Sequence, residues 1–67
     1  MSDLSNEDKE VLLYLESLKY YSVDSSKLKK EITLSEEKLE LALENLIKLK
    51  LIKRIVNEYS KVFYRQF

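Results

Sequence analysis

Acid–base chemistry in this 67-residue chain could only come from carboxylates at helical spacing, because the chain has no histidine or cysteine. The chain has no histidine, cysteine or glycine, which excludes Ser–His and Cys–His nucleophiles, Cys/His metal sites and glycine-rich phosphate loops. Glu36 and Glu40 lie on a short segment that has nothing to bury them, so we expect both carboxylates to stay in water. The sequence therefore predicts no enzyme, no catalytic residue, no metal and no cofactor.

Basic side chains concentrate in the last third of the chain. The formal net charge is zero, yet residues 48–67 carry six lysines and arginines against the single acid Glu58, whereas residues 1–24 are acidic. A basic region of this kind attracts phosphate groups or acidic surfaces. A purely solubilising role is the alternative, because lysine and arginine also protect exposed strands from aggregation. The residues that we predict to contact nucleic acid are Lys27, Lys30, Lys48, Lys53, Arg54, Tyr59, Lys61 and Arg65.

The segment 36–48 favours a different partner. Its predicted outward face carries four glutamates, with Asn45 and Lys48 towards the C-terminal end. A glutamate can only accept a hydrogen bond from the amino group of cytosine, and several glutamates together are repelled by phosphate. If the chain binds DNA, we expect the C-terminal strands and the lysines near residue 28 to make the contact. The alternative is a protein-binding surface formed by Glu37, Glu40, Leu41, Glu44 and Ile47.

Apolar periodicity predicts one α+β domain over residues 1–67, mostly helical, with a β-hairpin at its C-terminal end. Ser5 and Ser35 are good N-caps, and Leu28 anchors the short middle helix. Most of the tyrosines and phenylalanines are expected to pack, whereas Tyr59, in the predicted turn, should be exposed. The predicted elements are helix 5–20, helix 25–32, helix 35–50, strand 51–56 and strand 61–67.

The run from Ser22 to Ile55 resembles the core of the winged helix-turn-helix superfamily, in particular MarR- and ArsR-type regulators and their minimal archaeal or archaeal mobile-element forms. The resemblance implies three helices and a two-stranded hairpin, the wing, and a transcriptional or chromatin-associated regulator of duplex DNA. A glycine common in the family before the first wing strand is replaced here by Lys50, and a second, in the turn between the second and third helices, is absent near Thr33. The residues at matching positions are Leu28, Leu39, Leu46, Leu51, Ile52 and Arg54.

The small size of the chain favours self-association. A domain of this length buries only about 60% of its unfolded surface, so a second copy would add burial to a small core. The alternative is that the dense set of leucines and isoleucines suffices alone. Extra apolar residues on the first helix and just after it predict a homodimer surface at Leu13, Tyr14 and Tyr21.

Composition bears on where the protein works. Charged residues make up 36% of the chain, mostly lysine and glutamate, a bias that resembles the proteins of hyperthermophiles. The N-terminus is acidic and polar, unlike a signal peptide, and no apolar run approaches the ~20 residues that span a membrane. We therefore expect a soluble, cytoplasmic protein.

Overall fold

The computed structural model describes residues 4–19 and 21–67, and it has the α+β class that the sequence predicts. Within the described residues, no helix is both long and apolar enough to cross a membrane. The elements are α1 (Asn6–Ser17), β1 (Val23–Asp24), α2 (Ser25–Glu31), α3 (Glu36–Lys48), β2 (Ile52–Val56) and β3 (Val62–Gln66).

Each helix begins at a side-chain cap. Ser5 Oγ accepts from the Asp8 N–H, and the Asp8 carboxylate accepts from the Ser5 N–H in return, which completes a capping box. Asp24 caps α2 by accepting from the Lys27 N–H at 2.7 Å. Ser35 caps α3 in the same way. The caps predicted at Ser5 and Ser35 are confirmed, because these residues satisfy backbone donors that have no partner inside the helix.

α1 and α3 end earlier than predicted, at Ser17 and Lys48 rather than at residues 20 and 50. Lys19 (φ 57°) and Lys50 (φ 61°) take the left-handed conformation, which stops each helix. At the end of α3, the N–H groups of Lys50 and Leu51 donate to the carbonyls of Ile47 (2.9 Å) and Leu46 (3.0 Å). Residue 20, the predicted end of α1, lies outside the described residues.

Lys50→Gly should raise the free energy of unfolding by about 0.5–1 kcal/mol, because relief of the left-handed strain outweighs the extra freedom of glycine in the unfolded chain. Urea denaturation followed by circular dichroism measures the change. Lys48→Gly is the matched control, since it places glycine in helical backbone and should lower stability by up to about 1 kcal/mol. If both variants lose stability, the strain argument at Lys50 is wrong.

The sheet has three antiparallel strands in the order β1-β3-β2. The predicted two-stranded hairpin is therefore part of a larger sheet, and the prediction missed β1. The additional strand arises because Val23 pairs with Tyr64, and both side chains are buried. In the hairpin itself, β2 and β3 pair from Ile52 opposite Gln66 to Val56 opposite Val62. β1 thereby ties the hairpin to the segment that enters α2.

Asn57 organises the hairpin loop. Its side-chain oxygen accepts from the N–H groups of Tyr59 and Lys61, both at 2.9 Å, and its carbonyl accepts from the Ser60 N–H. Ser60 supplies the left-handed residue (φ 63°) that such a turn requires. The side-chain bonds explain why asparagine suits this position.

The core lies between the three helices and the inner face of the sheet. Leu28 is the buried residue of α2, whereas α1 and α3 contribute several residues each. The buried apolar residues are Val11, Leu15, Val23, Leu28, Ile32, Leu39, Ala42, Leu43, Leu46, Ile52 and Tyr64.

One buried polar contact joins α1 to α3. Asp8 is 6% exposed, and its carboxylate accepts a hydrogen bond of 2.6 Å from the Asn45 side-chain amide. The sequence predicts an outward-facing Asn45, and that prediction is wrong, because Asn45 is half-buried and satisfies Asp8.

Candidate nucleic-acid interface

The basic residues of the hairpin lie on opposite faces of the sheet. Side chains alternate along a strand, so Arg54 shares the inner face with Ile52 and Tyr64, and its guanidinium lies 5.6 Å from the centroid of the Tyr64 ring. Lys53 and Arg65 are directly paired and project from the outer face. The sequence prediction treats these three cations as one patch, whereas the structure separates Arg54 from the other two.

Arg54 lines a groove of about 450 Å³ between the inner side of the hairpin, α2 and α3. Lys29 of α2 lies along this groove, and on the α3 side the groove is lined by Glu40 and Glu44. A phosphate entering the groove would therefore meet two cations and two carboxylates. Lys29 is absent from the predicted contact residues, because its place on the groove side depends on how α2 packs against the hairpin and α3, which sequence spacing does not show.

Lys29 already has a partner. Its ammonium lies 2.8 Å from Glu36 at the start of α3. The hydrogen bond to Glu36, reinforced by the negative charge, raises the pKa of Lys29, and the same contact lowers the pKa of the Glu36 carboxyl. Both side chains are exposed, so solvent screens this pair and it contributes little to stability.

The tip of the hairpin lies beside the start of α2. Lys61 is exposed and, with Ser60, borders a hollow of about 220 Å³ whose other side includes Ser25 and Ser26. Tyr59 is 76% exposed, as the sequence predicts. A cation and an aromatic ring are thus both available to a ligand at the tip.

The remaining predicted contact residues surround this region without forming one patch. Lys27 and Lys30 are exposed on α2, where Lys27 lies on the helix face that carries Glu31 rather than on the groove side. Lys48 is exposed at the last residue of α3, where a positive charge is favoured by the helix dipole.

α3 presents an acidic surface with an exposed leucine at its edge. Glu37, Glu40 and Glu44 are exposed, and Leu41, which is 66% exposed, lies beside Lys38 and Asn45 on the side towards α1. The sequence predicts that Ile47 belongs to this surface, and that prediction is wrong, because Ile47 is half-buried and packs against the core.

The predicted dimer residues are unequally available. Leu13 is 65% exposed and Tyr21 is 79% exposed. Tyr14 is half-buried and packs against the core, and this burial, together with the negative charge of Glu31, raises the pKa of its hydroxyl. The apolar surface near α1 is therefore smaller than the sequence suggests.

Among residues 4–19 and 21–67, the ion pair between Lys29 and Glu36 is the only one. The same residues contain no group of three histidine, cysteine, aspartate or glutamate side chains that could hold a metal. Comparisons with family models, with curated proteins and with solved structures find no match to this chain.

Proposed function

We propose that this chain is a small, non-catalytic winged-helix protein that binds duplex DNA inside the cell, as a transcriptional or chromatin-associated regulator. One observation carries the proposal. In the described residues, the four basic side chains of the hairpin have no carboxylate within salt-bridge distance, while the hairpin tip adjoins the first turn of α2. Unpaired cations are free to neutralise phosphates.

The order of elements supports the winged-helix assignment. α2 and α3 are separated by a short turn and followed by a β-hairpin, which is the layout that resembles the superfamily. β1 strengthens the argument, because its pairing with β3 fixes the hairpin relative to α2. A wing fixed in this way can contact the DNA backbone together with the lysines of α2.

The acidic surface of α3 determines how the duplex is approached. Glu40 and Glu44 would face phosphates if α3 entered the major groove, and their charges would oppose binding. We therefore assign the main contact to the hairpin, with Lys61 and Tyr59 leading at its tip. Contacts of this kind are made mostly to phosphate and carry little sequence information.

The test is the affinity for a random-sequence duplex, measured by fluorescence anisotropy as salt is raised. Lys61→Ala should flatten the log–log salt dependence by about one unit and weaken binding to all sequences alike. Lys9→Ala, an exposed lysine on α1, is the control and should change neither quantity. Equal effects of the two variants would show that only net charge matters, and the assignment to the hairpin would be wrong.

A second candidate function is protein binding through α3, and the exposed Leu41 at the edge of the unpaired Glu37, Glu40 and Glu44 favours it. A central apolar anchor sets most of the affinity of an interface, and rim charges mainly set its rate of formation. The double variant Glu40→Gln/Glu44→Gln separates the candidates in the same titration. Tighter DNA binding would place α3 near the duplex, whereas unchanged DNA affinity would leave α3 free for a protein partner.

We also propose that the chain forms a homodimer through Leu13 and Tyr21. Sedimentation at micromolar concentration should show a dimer, and Leu13→Glu should yield a monomer, because the substitution would bury an unpaired charge in the interface. Glu16→Gln, also exposed on α1, is the control and should leave the dimer intact. A parent protein that sediments as a monomer would contradict the proposal.

A further inference from the structure

The outer face of the sheet combines two cations with exposed apolar side chains. We define this outer face as Lys53, Ile55, Phe63 and Arg65, continued by Phe67 beyond β3. Phe63, Ile55 and Phe67 do not belong to the core or to the residues packed against it. Ile55 is 39% exposed and Phe67 is 60% exposed, so the face has apolar surface available to a ligand.

The two cations of the outer face oppose each other. Lys53 and Arg65 occupy directly paired positions of β2 and β3, where like charges destabilise a sheet. The Arg65 Nε is buried and has no hydrogen-bond partner, which leaves an unused donor beside this pair. The one acidic residue paired along this face, Asp24 opposite Phe63, is occupied as the cap of α2. An anionic group bound between Lys53 and Arg65 would relieve the repulsion.

The aromatic residues define what accompanies the anion. Phe63 and Phe67 flank Arg65 on the same face, roughly 13 Å apart along the strand direction. The Lys53 ammonium lies 5.0 Å from the centroid of the Phe67 ring, so cation and ring already form one unit. Unpaired bases stack on such rings while their phosphates are held by neighbouring cations, whereas paired bases in a duplex offer no free face.

A second copy of the chain does not suit this surface. Two outer faces packed against each other would bring Lys53 and Arg65 of both copies together, and no side chain of the outer face carries a carboxylate to compensate them. We infer that the outer face binds single-stranded nucleic acid, with its phosphates on Lys53 and Arg65 and its bases stacked on Phe63 and Phe67. This function goes beyond duplex binding, because it requires the rings of Phe63 and Phe67, which the proposed contact through Lys61 and Tyr59 does not involve.

The experiment uses the absence of tryptophan from the chain. Phe67→Trp introduces a single reporter whose fluorescence is quenched when a base stacks on it. Titration with a twelve-nucleotide oligothymidylate should quench this signal, whereas an abasic oligonucleotide of equal length and a polyglutamate peptide should not. On the parent protein, anisotropy should show at least about tenfold tighter binding of oligothymidylate than of the abasic strand, as expected for base stacking on aromatic residues.

Phe63→Leu keeps an apolar side chain outside the core, so the fold should be retained, as circular dichroism can verify. This variant should lose about tenfold in affinity for oligothymidylate and nothing for the abasic strand or for duplex DNA. Lys53→Gln/Arg65→Gln should weaken single-strand binding more than the matched pair Arg54→Gln/Lys61→Gln. The inference is overturned if oligothymidylate does not bind, if it binds no tighter than the abasic strand, or if polyglutamate binds tighter than either. Duplex binding by the same variants tests the proposed function separately.

Discussion

Replacing Leu28 by alanine should lower the free energy of unfolding by about 2–5 kcal/mol. Leu28 is fully buried and is the buried residue through which α2 packs on the core. A domain of this length has a total stability of roughly 3–10 kcal/mol. The substitution should therefore unfold a substantial fraction of the molecules, and urea denaturation followed at 222 nm measures the loss.

Leu41→Ala is the matched control for this prediction. Leu41 is 66% exposed on α3, outside the proposed dimer surface, so truncation there removes little burial and should change stability by less than about 0.5 kcal/mol. A loss of less than about 1 kcal/mol for Leu28→Ala would mean that α2 is held by something other than its buried leucine.

Raising salt from 50 to 200 mM should weaken duplex binding on the order of 40-fold. This size follows from about three phosphate contacts, because Arg54 lies on the face opposite Lys53 and Arg65 and one duplex cannot meet all four basic residues of the hairpin. Each contact adds about 0.9 to the slope of log affinity against log salt. Anisotropy titrations at four or more salt concentrations give the slope directly. A slope near zero would exclude phosphate neutralisation by the hairpin, and a slope near one would leave a single contact.

The same titration with a matched variant tests where these contacts lie. Glu37→Gln raises the net charge by one on α3, away from the hairpin, and it should leave the slope unchanged. A steeper slope for Glu37→Gln would indicate that α3 lies against the duplex after all.

Local features of the fold could be predicted from the sequence. Ser5 and Ser35 were identifiable as caps because a short polar side chain preceding an apolar-periodic run satisfies backbone donors. The hairpin loop was identifiable from Asn57 for the same kind of local reason. Such features depend on residues within one turn of each other, which a single sequence displays.

Features that depend on distant residues could not be predicted in the same way. β1 comprises only Val23 and Asp24, too short for any periodicity, and it exists because β3 is there to pair with it. Asn45 looks like a surface residue until Asp8, 37 positions away, is placed beside it. The partial burial of Asn45 thus depends on a contact that sequence spacing does not show.

The candidate interface was predicted in composition but not in arrangement. Lys53 and Arg54 are adjacent in sequence, and strand alternation alone sends them to opposite faces of the sheet. The prediction grouped the cations by sequence position, so it did not include this separation or the pairing of Lys53 with Arg65. The pairing depends on the register of β2 and β3, which the loop geometry sets.

The pairing of β1 with β3 has a consequence for how the chain folds during synthesis. Tyr64 is buried in the core and pairs with Val23, so the earliest strand waits for one of the latest core residues to emerge from the ribosome. The helices can form locally before that point, but their apolar faces stay partly uncovered. We therefore expect chains that lack Tyr64 to expose the apolar faces of their helices to chaperones and to other nascent chains.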